Sequence, residues 1–354
     1  MKIDTLIVGQ GLAGSLLAWQ LLDRGQRVLV VDRDEQITSS KVAAGLVTPI
    51  AGSRFNVPPE LGERLLFAKQ FYWEKEEATS AQFFHHKRIA RVFRNGKEAA
   101  AWDKRLKNDG DDLKPYHEPL RIDETAFHAP HSGFEMKEGG WLDVPAFLEA
   151  TRQHLLERAS YAIASLDSAD VIVGKEAGPD GSVRWKNIVA DRIIFAEGWK
   201  GNQNRFFDWL PMKPAAGDIL HLEIPELEEE TRIVNCGGWL LPLGNGLFRA
   251  GSTYRHEFDT EGPTAEGRRE VLEKLGNITP HEGRIIKHEA AVRPIIRRSQ
   301  IFMGRHPSHE EVILFNGLGS KGVLNGPWHA SRLVEHLLDG RPLPESSDLR
   351  ENLL

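Results

Sequence analysis

The run Gly9-Gln10-Gly11-Leu12-Ala13-Gly14 follows directly on a short apolar stretch, Thr5-Leu6-Ile7-Val8. Glycines at this spacing have a use. Gly9 permits a tight turn, Gly11 lets a pyrophosphate approach the backbone, and Gly14 lets a helix pack against a strand. The helix that begins there offers unpaired N–H groups and a positive dipole end to phosphates. Its residues continue to Arg24 and stop at Gly25; Arg27 to Val31 then lead into Asp32. Asp32 stands 18 residues after Gly14, where a carboxylate accepts both hydroxyls of an adenosine ribose. A glycine motif alone is weak, but the order strand, turn, helix, strand, acid predicts a dinucleotide site.

The elements that must position such a site need room. A chain of 354 residues can form two domains, each with an ordinary core. Its 40% apolar and 27% charged residues are those of a soluble globular protein. A net charge of −6 with both signs interspersed lacks the basic footprint of a nucleic-acid binder. Cys236 is the only cysteine, which excludes an intrachain disulfide and a CxxC site and fits a reducing, cytoplasmic setting. The apolar N-terminus lacks the basic leader of a signal peptide, and no run of about 18 apolar residues predicts a membrane span.

Along the chain, Ser39 to Ile50 is small and almost uncharged, suited to a backbone lying against a flat ligand. Glu60 to Ala78 reads as a helix from the spacing of Leu61, Leu65, Phe71 and Tyr72. From 83 to 140 short strand-like runs are separated by Asn95-Gly96, Asn108-Asp109-Gly110 and Gly139-Gly140. A helix is predicted from Asp143 to Ala159, with Asp143 as N-cap and Pro145 in the first turn. Val183 to Ala196 returns to strand, and 205–294 is again β-rich, with Asn245-Gly246 signalling a hairpin. A last strand over 311–315 precedes a helix from about Pro327 to Leu338. The alternation predicts two interleaved domains: a Rossmann-type α/β domain over 1–82, 141–204 and 295–354, and a β-sheet-rich α+β domain over 83–140 and 205–294.

These fragments, in this order, resemble the FAD-dependent oxidases of the D-amino acid oxidase superfamily, the glycine oxidase-like branch most nearly. The likeness takes in the glycine unit ending in Asp32-Arg33, the Ser40–Pro49 stretch, Gly140–Pro145 and Ala196-Glu197-Gly198. Gly217–Leu220, Gly251-Ser252-Thr253, Arg293-Pro294 and the Gly317–Pro327 loop complete it. The resemblance implies FAD, with Gly9, Gly11 and Gly14 at the pyrophosphate and Asp32 and Arg33 at the adenosine end. Ser39, Ser40, Ala43, Ala44 and Gly45 would line the isoalloxazine and ribityl chain, and Ala196 and Gly198 would close over the adenosine. Gly317, Gly319, Ser320, Lys321, Gly322 and Val323 would bring N–H groups to the N1/O2 edge, where the reduced flavin carries negative charge. Arg293 matches the family arginine that holds a substrate carboxylate, for which a guanidinium fork is suited. Trp239 and Tyr254, on the two arms of the expected hairpin, are candidate pocket walls, and Arg255 is a further candidate.

The implied reaction is hydride transfer from a substrate C–H next to nitrogen to flavin N5, after which the imine hydrolyses. Only one dinucleotide unit is evident, so the electrons are expected to come from the organic substrate and not from a nicotinamide cofactor; oxygen is the expected acceptor, with a quinone or a carrier protein as alternatives. Attachment is expected to be non-covalent: Cys236 lies far from the C-terminal loop, and the first histidine is His85, well past Ser40. Two alternatives stay open, a flavin-dependent 2-hydroxy acid dehydrogenase and a non-catalytic flavin-binding subunit. The expected partners are a small amine, amino acid or hydroxy acid and an electron acceptor, with no nucleic acid and no membrane. Departures bear on substrate. Glu197 stands where relatives have a small residue, Ser320 and Lys321 replace an expected arginine and asparagine, and Arg297-Arg298-Ser299 replaces an Asp-Gly pair. A P-loop is excluded because Val323, not a lysine, follows Gly322, and no GxSxG occurs. His85-His86 and His128-x-x-His131 lack accompanying cysteine, so no metal site is expected.

Overall fold

The computed structural model describes residues 1–58, 60–178, 182–297 and 300–352. The chain opens with β1 (Lys2–Val8), α1 (Leu12–Asp23), β2 (Val28–Asp32), α2 (Ser39–Val42), β3 (Leu46–Val47) and α3 (Leu61–Thr79). It continues through β4 (Phe84–His86), β5 (Ile89–Val92), α4 (Gly96–Asp109), β6 (His117–Pro119), β7 (Gly133–Met136), β8 (Gly140–Leu142) and α5 (Val144–Glu157). Next come β9 (Tyr161–Ile163), β10 (Ile172–Val173), β11 (Val183–Trp185), β12 (Ile188–Phe195), β13 (Ala215–Glu223) and β14 (Ile233–Cys236). The last elements are β15 (Gly238–Gly244), β16 (Leu247–Gly251), α6 (Ala265–Gly276), β17 (Arg284–Arg293), β18 (Phe302–Arg305), β19 (Val312–Asn316) and α7 (Gly322–Asp339).

Two large sheets organise these elements. In the first, β9, β2, β1, β12 and β19 run parallel in that order, and β10, β11 and β18 add antiparallel edges. Such a sheet is buried on both faces, so its strands read as near-continuous apolar runs. The helices α1, α3, α5 and α7 cover one face, where Leu16, Leu17, Tyr72, Phe147 and Leu333 make the core. Phe195, Phe206, Phe207 and Trp185 pack on the other.

The second sheet has the order β17-β13-β16-β15-β14-β5-β7-β6 and is antiparallel except where β14 runs parallel to β5. Its strands come from residues 89–136 and 215–293, on either side of a stretch that supplies the first sheet. A small third sheet, β3-β8-β4, ties the two together. The architecture is a Rossmann-type α/β layer interleaved with a β-rich layer.

Local signals account for most elements. Asp143 caps α5 by accepting from Ala146 N–H at 3.1 Å, with Pro145 in the first turn. Asn245 and Gly246 take φ of 53° and 71° between β15 and β16, the conformation a two-residue hairpin needs. Two expectations need correction. The 83–140 region holds α4, because Asn95 is an N-cap that accepts from Glu98 N–H at 3.0 Å rather than a turn between strands. The last helix begins at Gly322, and Pro327 lies inside it. Proline removes the N–H that would bond to Val323 O, and the Tyr72 hydroxyl donates to that carbonyl instead at 3.0 Å.

Candidate active site

Between the sheets lies a cavity of about 460 Å³. One end is the turn after β1. There Gly9 has φ +100°, and a Cβ would stand 2.6 Å from Ala196 O. A Cβ on Gly14 would meet Gly9 O at 1.8 Å, so Gly14 acts by packing and does not face the cavity. The first turn of α1 has no acidic residue and no side-chain cap from its own Gly11. Ser40 Oγ fills that role from across the cavity, accepting from Leu12 N–H at 3.0 Å.

Asp32 also faces the cavity, and its oxygens accept from Gln10 N–H and Asp34 N–H, both at 2.7 Å. These bonds fix the carboxylate at the end of β2. Arg33, Ala196, Glu197 and Gly198 line the same end. The Glu197 carboxyl is pushed up to about 7, chiefly by burial, against the opposing pull of an Asn204 hydrogen bond and Arg33. Gly198 O accepts from Asn316 Nδ2 at 2.7 Å, which binds the β12 end to the β19 end.

Ser39, Ser40, Ala43, Ala44 and Gly45 form the long wall. Arg249, buried on β16, holds this segment: its Nη1 donates to Ala43 O at 2.9 Å and its Nη2 to Val42 O at 2.6 Å. Val42 packs on Ile219 and Ala291, which seats α2 on the second sheet. Gly319, Ser320, Lys321, Gly322 and Val323 form the facing wall. The N-terminus of α7 there has no side-chain cap and no acid in its first turn. Burial lowers the Lys321 ammonium from the ordinary lysine range, although its side chain stays exposed on the wall. Gly317 does not line the cavity; its φ of +81° and the closeness of Gln300 O make it a packing position.

The floor is the second sheet, and pairing register decides what it presents. Arg91 is opposite Asn235, Asn235 opposite Trp239, Trp239 opposite Gly251, and Gly251 opposite Ile219. Gly217 pairs with Ala291 and Ala215 with Arg293. Paired residues share a face and side chains repeat every second residue, and Arg91, Asn235, Trp239, Ile219, Gly217, Ala291 and Arg293 line the cavity, with Ala215 buried beside them. Two glycines provide flat seats. A Cβ at Gly217 would lie 2.2 Å from Arg293 Nη1, and one at Gly251 would lie 2.6 Å from the Trp239 ring. Arg293 donates to Thr253 O at 3.1 Å and to Ser252 Oγ at 2.8 Å, and it makes no ion pair among the described residues. Burial lowers its pKa from the usual arginine range, and Asp218 and the Tyr254 hydroxyl are the acidic groups that oppose this.

Tyr254 is not a cavity wall. It lies beyond β16, exposed, with the Arg293 guanidinium 5.4 Å from its ring centroid. Arg255 turns to the fully buried Asp218 at 2.6 Å, where His288 Nε2 at 2.9 Å and Thr253 Oγ1 at 3.0 Å also bond. Arg298 and Ser299 lie outside the described residues. Cys236 is buried on β14 away from the cavity lining. Among the described residues no group of three His, Cys, Asp or Glu could hold a metal, and no helix is long and apolar enough to cross a membrane. Arg91, Asn235 and Arg249 carry no local sequence signal and were reached only through the sheet.

Residues 4–336 match the model of a family described as FAD dependent oxidoreductase. The chain belongs to that family. This FAD-dependent oxidoreductase is 22% identical over 97% of its length to 96% of the glycine oxidase of Pseudomonas putida. It is equally 22% identical, over 99% of its length, to the tRNA 5-methylaminomethyl-2-thiouridine biosynthesis bifunctional protein MnmC of Hahella chejuensis, but spans only 59% of that protein. Glycine oxidase from Geobacillus kaustophilus superposes with a TM-score of 0.78 at 16% identity, covering 96% of this chain and 95% of that one. The oxidoreductase thus shares the glycine oxidase fold.

Proposed function

We propose that this oxidoreductase oxidises a carboxylate-bearing amine or amino acid, with dioxygen as the final acceptor. The observation that carries the reading is Arg293, a guanidinium on the cavity floor with no ion-pair partner among the described residues. A fork of N–H donors so placed suits a carboxylate held by two parallel bonds.

The two helix N-termini that face the cavity, neither with an acid in its first turn, fit FAD. In this reading Gly9, Gly11 and the first turn of α1 hold the pyrophosphate, with the Ser40 hydroxyl beside them. Asp32, Arg33, Ala196 and Gly198 take the adenosine end. Ser39, Ala43, Ala44 and Gly45 run along the ribityl chain and ring, held by Arg249. Gly319, Ser320, Gly322 and Val323 present N–H groups from the start of α7, and Lys321 adds positive charge at the same wall. When bound, FAD supplies an acceptor for two electrons from the C–H bond next to nitrogen. Arg293 fixes the substrate carboxylate, which restricts where that C–H bond can point. Trp239, whose ring lies against Gly251, covers the sheet backbone at the floor. The names of the relatives, glycine oxidase among them, support an amine as substrate.

The test is the visible spectrum of the anaerobic holoprotein during titration with amines, amino acids and 2-hydroxy acids. Bleaching by carboxylate-bearing amines, with one peroxide formed per turnover in air, is the expected result. Arg293→Met should retain FAD and raise KM for these substrates by roughly ten- to a hundredfold. Bleaching by 2-hydroxy acids alone would overturn the amine reading.

A further inference from the structure

The reaction proposed above uses one arginine of the cavity floor, yet the lining of the same cavity holds another, Arg91. Arg91 lies on β5, and its line of cross-strand partners runs through Asn235, Trp239, Gly251 and Ile219 to Glu289 on β17, the strand that ends in Arg293. Arg91 is only 8% exposed, and its Nε is buried without a hydrogen-bond partner. Its Nη2 bonds to Glu98 Oε1 at 2.5 Å. That carboxylate is shared. Glu98 Oε2 also accepts from the Arg94 backbone N–H at 2.9 Å and from Arg94 Nε at 3.1 Å. Arg94 is half-exposed and lies outside the cavity lining, so Arg91 is the guanidinium that faces the cavity, with a shared carboxylate behind it and its Nε unpaired.

Asn235 lines the cavity beside Arg91, and its side-chain amide makes no hydrogen bond among the described residues. The carboxylates that line the cavity, Asp32, Glu35 and Glu197, all belong to the β2 and β12 end. Among the described residues, the floor lining thus holds two guanidiniums with an indole between them and no carboxylate, Glu98 lying behind Arg91. A substrate with a single carboxylate satisfies only one.

We propose that Arg91 and Asn235 form a second anion subsite, and that the substrate is an amine carrying two acidic groups. One acidic group sits on Arg293, the carbon chain crosses Trp239, and the other acidic group takes the free side of Arg91. The two-acid part rests on the cavity; the amine part rests on the function proposed above.

Binding can be read without turnover, from the shift of the flavin absorption bands of the holoprotein. Straight-chain monocarboxylates and dicarboxylates of two to eight carbons would serve as probes. The expected result is one dicarboxylate length that binds at least about tenfold tighter than the monocarboxylate of equal carbon count. In Arg91→Met the two classes should bind alike. In Glu98→Gln, which removes the competing carboxylate, the preference should grow. Should Arg91→Met fail to fold, the parent and Glu98→Gln still decide the matter. Equal binding of the two classes by the parent, or a preference untouched by Arg91→Met, would overturn the second subsite. A dicarboxylate preference in a protein whose flavin no amine reduces would refute the amine reading and leave the subsite standing.

Discussion

Arg293 lies where Gly217 has no side chain, and that contact sets its aim. A methyl group at Gly217 would stand 2.2 Å from Nη1 and 2.5 Å from Cζ, so Gly217→Ala must lift the guanidinium off the sheet. Carboxylate affinity is expected to fall by roughly ten- to a hundredfold. FAD content, read from visible absorbance, should not change, and loss of flavin would place Gly217 in a different role. Glu197 makes a second prediction. Its carboxyl titrates near 7, raised by burial and Asp167 and lowered by Asn204 and Arg33. A cofactor bringing negative phosphates and displacing water favours the neutral acid, so binding takes up a proton. FAD affinity, followed by quenching of flavin fluorescence, should weaken as pH rises through about 7. Glu197→Gln should flatten that profile at the tight, acidic limit; a flat profile in the parent would show that Glu197 does not face the cofactor. Residues of this kind differ in how far a sequence discloses them. Gly14 and Asp32 meet partners within one local unit, Gly9 O and the Gln10 and Asp34 N–H groups, so their spacing is enough. Arg91 and Arg249 gain meaning only from pairing partners distant in the chain, such as Asn235 for Arg91, and an isolated strand arginine resembles a solvated one. Tyr254 shows the converse: the hairpin is where its turn residues put it, but the chain leaves β16 before reaching the tyrosine.

At the scale of elements, α7 combines a site at its N-terminus with a buried histidine in its middle. Gly326 lets it approach α1, where a Cβ would come within 2.5 Å of Leu16. His329 is 3% exposed, and its Nδ1 lies 2.8 Å from Asn325 O, to which the neutral ring donates. Burial depresses its pKa to about 4, with Arg64 acting in the same direction. Below the unfolded value of about 6.5 the unfolded chain takes up a proton that the folded chain refuses until about 4. The stabilisation is complete well above 6.5 and is lost as pH falls through 6.5 toward 4, by about 1.6 kcal/mol between 6.5 and 5. Urea titrations of the parent and His329→Leu at those two pH values would measure it; equal slopes in both proteins would exclude His329 as the source. Helix periodicity and caps made α3 and α5 readable. The start of α7 was hidden because proline normally marks a boundary, and only a hydroxyl from Tyr72 makes Pro327 tolerable within the helix.

At the scale of the whole molecule, neither large sheet is built from one continuous piece of chain. The first draws on residues 2–32, 161–195 and 302–316, and the second on 89–136 and 215–293. The cavity takes walls from both. Unfolding followed by far-ultraviolet circular dichroism and by tryptophan fluorescence should therefore give one coincident transition. FAD at a hundred times its Kd should move both curves together by about 2.7 kcal/mol; separate transitions, or a shift in one alone, would show that the layers are independent. The alternation of β-rich and nucleotide-type segments was visible in the chain because composition changes with each crossing. The parallel register of β5 on β14 was not, since no turn joins them. That weave also has a history in time. β1 leaves the ribosome with β2 at hand, but its other neighbour, β12, is encoded at 188–195. At roughly 5–20 residues per second the wait is on the order of ten to forty seconds. For that interval one edge of Leu6-Ile7-Val8, buried in the finished protein, has no strand to join. Ribosome-bound chains halted before residue 188 are expected to stay protease-sensitive and to recruit holding chaperones, whereas chains extended past β19 become resistant. An architecture that shares one cavity between two layers thus asks the first strand of this sheet to wait for a partner encoded some way behind it.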